Sequence, residues 1–185
     1  MIEYTFKPNP FTKEKIFTLE AEHLIVFSKG KMEERIPYSD IHMIHLSHNP
    51  NKHDWKVYSC GITSRHDKKY TLFNKSYPGI LPKDKSHEYV MFIRELHIRV
   101  LEKNQNAEFT GGLKSKSDYI GMMIGFVFFL GIAIIILIYG RYAVWLGLTI
   151  PIIWLIWLTW TLIKNRPVKY DPLDIPSRLF PKEKA

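Results

Sequence analysis

The sequence has a single cysteine, Cys60, and lacks the common catalytic motifs. One thiol excludes an intramolecular disulfide and suits a reducing compartment. No Walker motif, GxGxxG, HExxH or GxSxG occurs, and the carboxylate pair Glu33–Glu34 lies in a charged stretch typical of a solvated face. We therefore expect no enzymatic activity and no cofactor.

Charge is missing from two long runs near the C-terminus. Residues 119–140 and 142–163 contain no Asp, Glu, Lys or Arg, and only Arg141 separates them. As a helix, each run is about 33 Å long, which matches a hydrocarbon core of about 30 Å. This pattern predicts transmembrane helices over 119–139 and 142–163, joined by an external turn at 140–141.

The N-terminus lacks the apolar stretch of a signal peptide. The basic residues that flank the two runs lie almost all on one side, with Arg141 alone on the other. That side carries Lys114, Lys116, Lys164, Arg166 and Lys169. We expect an integral protein of the bacterial inner membrane with both termini in the cytoplasm. Because neither run contains an acidic or basic side chain, a transporter or channel is disfavoured.

The residues before the uncharged runs predict a small sheet and one helix. Alternating or β-branched segments separated by turn residues favour an antiparallel meander. These segments cover 15–22, 23–28, 31–38, 40–47, 55–64 and 69–76. The 3.6-residue period over 86–104 predicts an amphipathic helix that begins near Ser86 and ends near Asn104. We expect a cytoplasmic domain over 1–104, a linker over 105–118 and a Pro-rich basic tail over 164–185.

The stretch HLIVFSKGKMEERIPYSDIHMI (23–44) resembles the first half of bacterial pleckstrin-homology-like domains. With the tail NRPVKYDPLDIPSRLFP (165–181), the chain resembles uncharacterised bacterial membrane proteins that carry such a domain before a two-helix transmembrane hairpin. The resemblance implies an α+β fold: an antiparallel, partly closed sheet capped by a C-terminal helix, and then the hairpin. It carries over no catalytic residue.

Four histidines lie within twelve residues, at His42, His45, His48 and His53. Imidazole is a common metal ligand. On a strand, however, His42 and His45 point to opposite faces, so this spacing does not converge on one ion. We expect exposed edge or loop histidines and no metal site.

Cys60 could in principle act as a nucleophile with His53 or His66 as its base. Nothing in the sequence orients such a pair. An isolated cysteine in a strand is usually a small buried hydrophobe, and we expect that role here.

Basic residues cluster around two predicted loops, and we single them out as lipid- or partner-binding candidates. They are Lys52, Lys56, Arg65, Lys68 and Lys69. Near an anionic membrane such a patch binds lipid headgroups at about 1 kcal/mol per basic residue. The alternative is a solvated rim that Asp54 and Asp67 balance. A net charge of only +4 over residues 1–118 argues against nucleic acid as a partner.

The sequence therefore predicts a non-enzymatic, membrane-anchored protein-interaction module, a scaffold or regulator in a bacterial envelope complex. Its partners would be the lipid bilayer and a protein whose identity the sequence does not give. The alternative is a module that binds anionic lipid headgroups at the cytoplasmic leaflet. The Pro-rich tail, with apolar residues such as Leu179 and Phe180, is expected to dock on the domain or on a partner as an extended peptide.

Overall fold

The computed structural model describes residues 2–28, 31–48, 57–112 and 168–181, together with scattered positions between 121 and 157. The chain divides into two compact units. The first consists of Met1–Gly112 and Pro167–Ala185, and the second of Leu113–Arg166. The C-terminal segment thus belongs to the same unit as the N-terminal residues.

A four-stranded antiparallel meander begins the first unit. Its strands are β1 (Ile2–Phe6), β2 (Lys15–Leu19), β3 (His23–Ser28) and β4 (Lys31–Pro37). Side chains alternate between water and the core along β1, where Tyr4 and Phe6 are buried and Glu3 is exposed. β4 lies at an edge, and its charged, mostly exposed residues suit an unpaired strand edge.

A second sheet has five strands in the order β11-β10-β5-β6-β7. They are β5 (Ile41–His48), β6 (Tyr58–Ser64), β7 (Lys69–Phe73), β10 (Glu108–Gly111) and β11 (Val168–Lys169). β10 pairs parallel to β5, whereas every other neighbouring pair in this sheet is antiparallel. A parallel pair needs a long crossover, and the intervening chain supplies it.

That crossover contains a short hairpin and the helix. The hairpin pairs β8 (Lys75–Ser76) with β9 (Lys83–Asp84), and the helix α1 spans Ser86–Lys103. One face of α1 packs on the sheets through Tyr89, Phe92 and Leu96, which are fully or almost fully buried. The helix therefore closes the core that the two sheets form.

Asn104 ends the helix at the predicted residue. Its Nδ2 group donates to the carbonyl oxygens of Ser39, at 3.2 Å, and Ile41, at 3.0 Å. Its Oδ1 atom accepts the backbone N–H of Asn106 at 3.1 Å. One buried amide thus joins the end of α1 to the turn that precedes β5.

Periodicity located most of these elements. Each of the six predicted strand segments contains a strand, and the helix predicted over 86–104 is found at Ser86–Lys103. The structure adds β1, β9, β10 and β11, which the sequence did not predict. It places β10 inside the segment that was predicted as a linker (105–118) and β11 inside the predicted tail.

The predicted transmembrane hairpin is not supported. Among the positions that the structure describes, no helix is both long and apolar enough to cross a membrane. Most of 119–139 and 142–163, and all of 140–141, lie outside the described residues. An uncharged run shows only that its side chains avoid water, which is not enough to establish a spanning helix.

Three predictions depended on that hairpin and are corrected with it: the fold class, the resemblance to membrane proteins with a pleckstrin-homology-like domain, and the integral location in the inner membrane. The described part of the chain is mostly β-sheet with one long helix, α1, rather than an α+β domain followed by a helical hairpin. The sheet is also not wholly antiparallel, because β10 runs parallel to β5.

The second unit is described only at scattered positions, and those between 121 and 157 are helical. A Cβ atom on Gly125 would lie 3.4 Å from the indole of Trp154, so this glycine allows a close approach. The rings of Trp154 and Trp157 are 5.9 Å apart. Some described apolar side chains of this unit, such as Ile124 and Ile153, are exposed.

Candidate functional site

The C-terminal segment binds the first unit as an added strand. β11 pairs antiparallel with β10, with Lys169 opposite Thr110 and Val168 opposite Gly111. Beyond the strand, the backbone N–H of Tyr170 donates to the carbonyl oxygen of Phe109 at 3.2 Å. The C-terminal segment, which follows the second unit in sequence, therefore adds a strand to a sheet whose other strands precede that unit.

A buried histidine connects this segment to the helix. His97 lies 2.7 Å through Nδ1 from the carbonyl oxygen of Ile93 and 2.9 Å through Nε2 from the hydroxyl of Tyr170. Because a carbonyl oxygen only accepts, Nδ1 carries the proton and Nε2 accepts from Tyr170. Burial of the imidazole lowers the pKa of His97 to about 4, so the ring is neutral at pH 7.

Two buried apolar residues anchor the end of the segment. A 3₁₀ turn at Ser177–Leu179 directs Leu179 against Gly111, where a Cβ atom would lie only 2.4 Å from the Cδ1 atom of Leu179. Phe180 is buried next to it, and the guanidinium of Arg94 lies 5.7 Å from its ring centroid. The tail therefore docks on the chain's own first unit, which is one of the two outcomes that its composition allowed.

A groove remains open between α1 and the docked segment. Its volume is about 230 Å³. Five of its seven lining residues are apolar, and the other two carry charges of opposite sign, so the wall presents both apolar and polar surface. The lining residues are Arg94, Ile98, Pro172, Leu173, Asp174, Ile175 and Phe180. Ile98 and Leu173 are 41% and 71% exposed, so the groove presents apolar surface to solvent. We call this feature the α1 groove.

The structure describes three of the five basic candidates, and they share one turn. Arg65, Lys68 and Lys69 are exposed around the connection between β6 and β7. The Lys68 ammonium lies 2.8 Å from a carboxylate oxygen of Glu34 on β4, and that carboxylate also accepts the hydroxyl of Tyr70. Part of the predicted positive charge is therefore compensated locally. Lys52 and Lys56 lie outside the described residues.

The described histidines of the predicted cluster lie in β5, and the expectation that they are exposed was wrong for His45 and His48, which are buried. His45 is buried, with Nδ1 2.9 Å from the hydroxyl of Thr110 and Nε2 3.2 Å from the carbonyl oxygen of Gly112. These contacts join β5 to β10 and to Gly112, which follows that strand. Among the described residues, no group of three or more His, Cys, Asp or Glu side chains could hold a metal ion. His53 is not described.

Cys60 is fully buried in β6, as expected for a small hydrophobe. Desolvation raises the pKa of its thiol, so the reactive thiolate is suppressed in the folded chain.

One residue of the predicted helix could have indicated that a distant segment docks there. His97 lies on the apolar face of the predicted helix between Leu96 and Val100, and a polar residue on such a face needs a buried partner. Tyr170, in the tail, is that partner. The role of Gly111 had no sequence signal, because it depends on Leu179, which is distant in the chain.

No family model, no curated protein and no solved structure matches this chain. Its functional interpretation therefore depends on the geometry of the described residues.

Proposed function

We propose that this chain is a non-enzymatic protein-interaction module that holds an extended segment of a partner protein in the α1 groove. The observation that carries this proposal is the docked C-terminal segment. Residues 168–181 already lie along β10 and α1 as a proline-containing segment that begins with the added strand β11. Addition of an extended peptide to a sheet edge is a recurring mode of peptide recognition.

The volume of the α1 groove favours a side-chain anchor over a small molecule. Pockets for small ligands usually measure about 300–1,000 Å³ and enclose most of the ligand. This groove, at about 230 Å³, is smaller and open, with Ile98 and Leu173 facing solvent. One large apolar side chain of a partner fits such a space, while its backbone continues outside.

The two charged residues of the groove restrict the orientation in which a segment can bind. Arg94 and Asp174 both line the groove and differ in sign. An anchor residue with a carboxylate on one side and a basic group on the other would complement both. We therefore expect the preferred segments to have an apolar anchor flanked by charges of opposite sign.

The alternative, binding of anionic headgroups through the basic cluster that includes Arg65, Lys68 and Lys69, has weaker support. Lys68 is paired with Glu34 at 2.8 Å, which reduces the charge available to a headgroup. The α1 groove combines shape, apolar surface and charge in one place, so we give it precedence.

A display selection tests the proposal. Random peptides are selected on the full chain and compared with binding to the Ile98→Asp variant, whose carboxylate enters the groove. Met91→Asp is the matched control, because Met91 is 56% exposed on the same helix and does not line the groove. We expect enriched peptides that lose at least tenfold affinity for Ile98→Asp and keep their affinity for Met91→Asp. Peptides that bind all three proteins equally, or no enrichment, would contradict the proposal.

A further inference from the structure

Three apolar side chains stand almost free in solvent at one end of the first unit. Phe11 is 97% exposed, Ile80 87% and Leu81 80%, and no other large apolar side chain among the described residues is as exposed. Phe11 lies in the turn between β1 and β2, and the other two lie in the loop between β8 and β9. Together we call these two connections the apolar tips.

The first tip is held in a defined turn. The Oδ1 atom of Asn9 accepts the backbone N–H groups of both Phe11 and Thr12 at 3.0 Å. The N–H of Asn9 in turn donates to the hydroxyl of Thr12 at 3.1 Å. Pro10 also fixes its own φ angle. The exposure of Phe11 is therefore a built feature of the turn, not fraying.

The second tip is joined to the first by two hydrogen bonds, one between backbone groups and one from a backbone N–H to a side chain. The N–H of Tyr77 donates to the carbonyl oxygen of Lys7 at 3.0 Å, and the N–H of Lys7 donates to the hydroxyl of Ser76 at 3.0 Å. The β8–β9 hairpin closes the loop that carries Ile80 and Leu81. The bases of the two tips are therefore adjacent on the surface of the first unit.

The residues around the apolar tips are predominantly basic. Residues 7–15 and 75–85 contain six lysines and two carboxylates, Glu14 and Asp84. The Asp84 carboxylate lies 3.6 Å from the ammonium of Lys75, which offsets its charge. The lysines are Lys7, Lys13, Lys15, Lys75, Lys83 and Lys85. Lys75 is buried and the Lys85 ammonium donates to the carbonyl oxygen of Thr5, so the other four supply most of the accessible positive charge. Each apolar tip therefore protrudes from a positively charged part of the surface.

We propose that the apolar tips are a contact site for an anionic lipid surface, with Phe11, Ile80 and Leu81 entering the headgroup layer. A fluid headgroup layer accepts convex protrusions without a preformed pocket, and it carries the charge that the lysines complement. A protein partner would need a deep pocket with an acidic rim for both tips at once. This inference is independent of the α1 groove, which is formed by other residues.

Vesicle sedimentation with the full chain tests the inference. The probes are phosphatidylcholine vesicles with and without phosphatidylserine. The tip variant combines Phe11→Ser, Ile80→Ser and Leu81→Ser, and the matched control combines Met32→Ser with Met91→Ser, which also replaces exposed apolar residues. Vesicle binding by the rest of the chain is the same in all three proteins, so a difference between them reports on the substituted residues.

We expect the wild-type chain to bind anionic vesicles at least tenfold more tightly than neutral ones, and this preference to fall with salt. The tip variant should lose at least tenfold affinity for anionic vesicles, while the control retains it. Equal binding of wild type and tip variant would overturn the proposal. So would equal binding of the wild type to both vesicle types, which would leave a protein as the occupant of the tips.

Discussion

The Nε2 atom of His97 accepts the hydroxyl of Tyr170 at 2.9 Å, and this contact joins α1 to a segment 73 residues further along the chain. The ring planes stack at 29°, with centroids 5.9 Å apart. Phe109 lies 5.2 Å from the His97 ring, so the imidazole lies between aromatic groups from both sides of the docking interface. The neutral form of His97 is thus part of how the tail docks.

Acid should weaken the fold through His97. Burial lowers the pKa of His97 to about 4 in the folded chain, against an ordinary value of 6.5 in the unfolded one. The unfolded state therefore binds a proton first, and stability that is complete above pH 6.5 is lost as pH falls towards 4. The loss reaches about 3 kcal/mol at most.

The labelling rate of the only thiol, Cys60, measures this effect, because the buried thiol reacts only when the first unit opens. The rates of wild type and His97→Leu are compared at each pH, which cancels the intrinsic pH dependence of the reagent. We expect the ratio of the two rates to change between pH 6.5 and 4 and to be constant above pH 7. Tyr170→Phe removes the hydroxyl that contacts His97, so this variant should be less stable than wild type. Because it retains His97, it should keep the pH dependence. A pH-independent ratio would contradict the assignment.

A methyl group on Gly111 should destabilise the docked tail. Its Cβ atom would lie 2.4 Å from Cδ1 and 3.3 Å from Cγ of Leu179, and that leucine is buried, so it has little room to move. We expect Gly111→Ala to cost about 1–3 kcal/mol of unfolding free energy. Leu179→Ala alone should cost about 2–4 kcal/mol, because it leaves a cavity.

The double variant decides whether the two residues act on each other. With Leu179 shortened, the added methyl group fits, so the combined loss should be smaller than the sum by about 1 kcal/mol. Gly61→Ala in the same sheet is the control, since its Cβ atom would meet only an ordinary contact of 3.7 Å. Additive losses in the thiol-labelling assay would contradict a direct contact.

Local patterns in the sequence predicted the elements that have local signals. β5 and β6 show apolar and β-branched runs bounded by turn residues, and α1 shows an apolar face and ends at Asn104. These features depend on neighbours within a few residues. The same patterns therefore identified most of the two sheets correctly.

The candidate site depends on contacts between distant residues, and these left little trace in the sequence. β11 is two residues long, and its partner residues in β10 lie 57 and 59 positions earlier, with Val168 opposite Gly111 and Lys169 opposite Thr110. Short strands have no measurable periodicity. The apolar tail residue Leu179 was recognised, but its contact with Gly111 was not. The prediction of a membrane hairpin was wrong for a related reason, because a lack of charge was taken to specify a structure.

Asn104 should be indispensable among the polar residues at the end of α1. Its Nδ2 group satisfies two carbonyl oxygens, of Ser39 and Ile41, and its side chain is almost completely buried. Asn104→Leu leaves both carbonyl oxygens without this donor, which should cost about 2–4 kcal/mol of unfolding free energy. Asn106→Ala is the matched control: its side chain is exposed, and the expected change is within about 0.5 kcal/mol. Thiol labelling of Cys60 in the full chain measures both variants. If Asn104→Leu opened no faster than Asn106→Ala, the join between α1 and the turn before β5 would not contribute to stability, and the amide would serve only to end the helix.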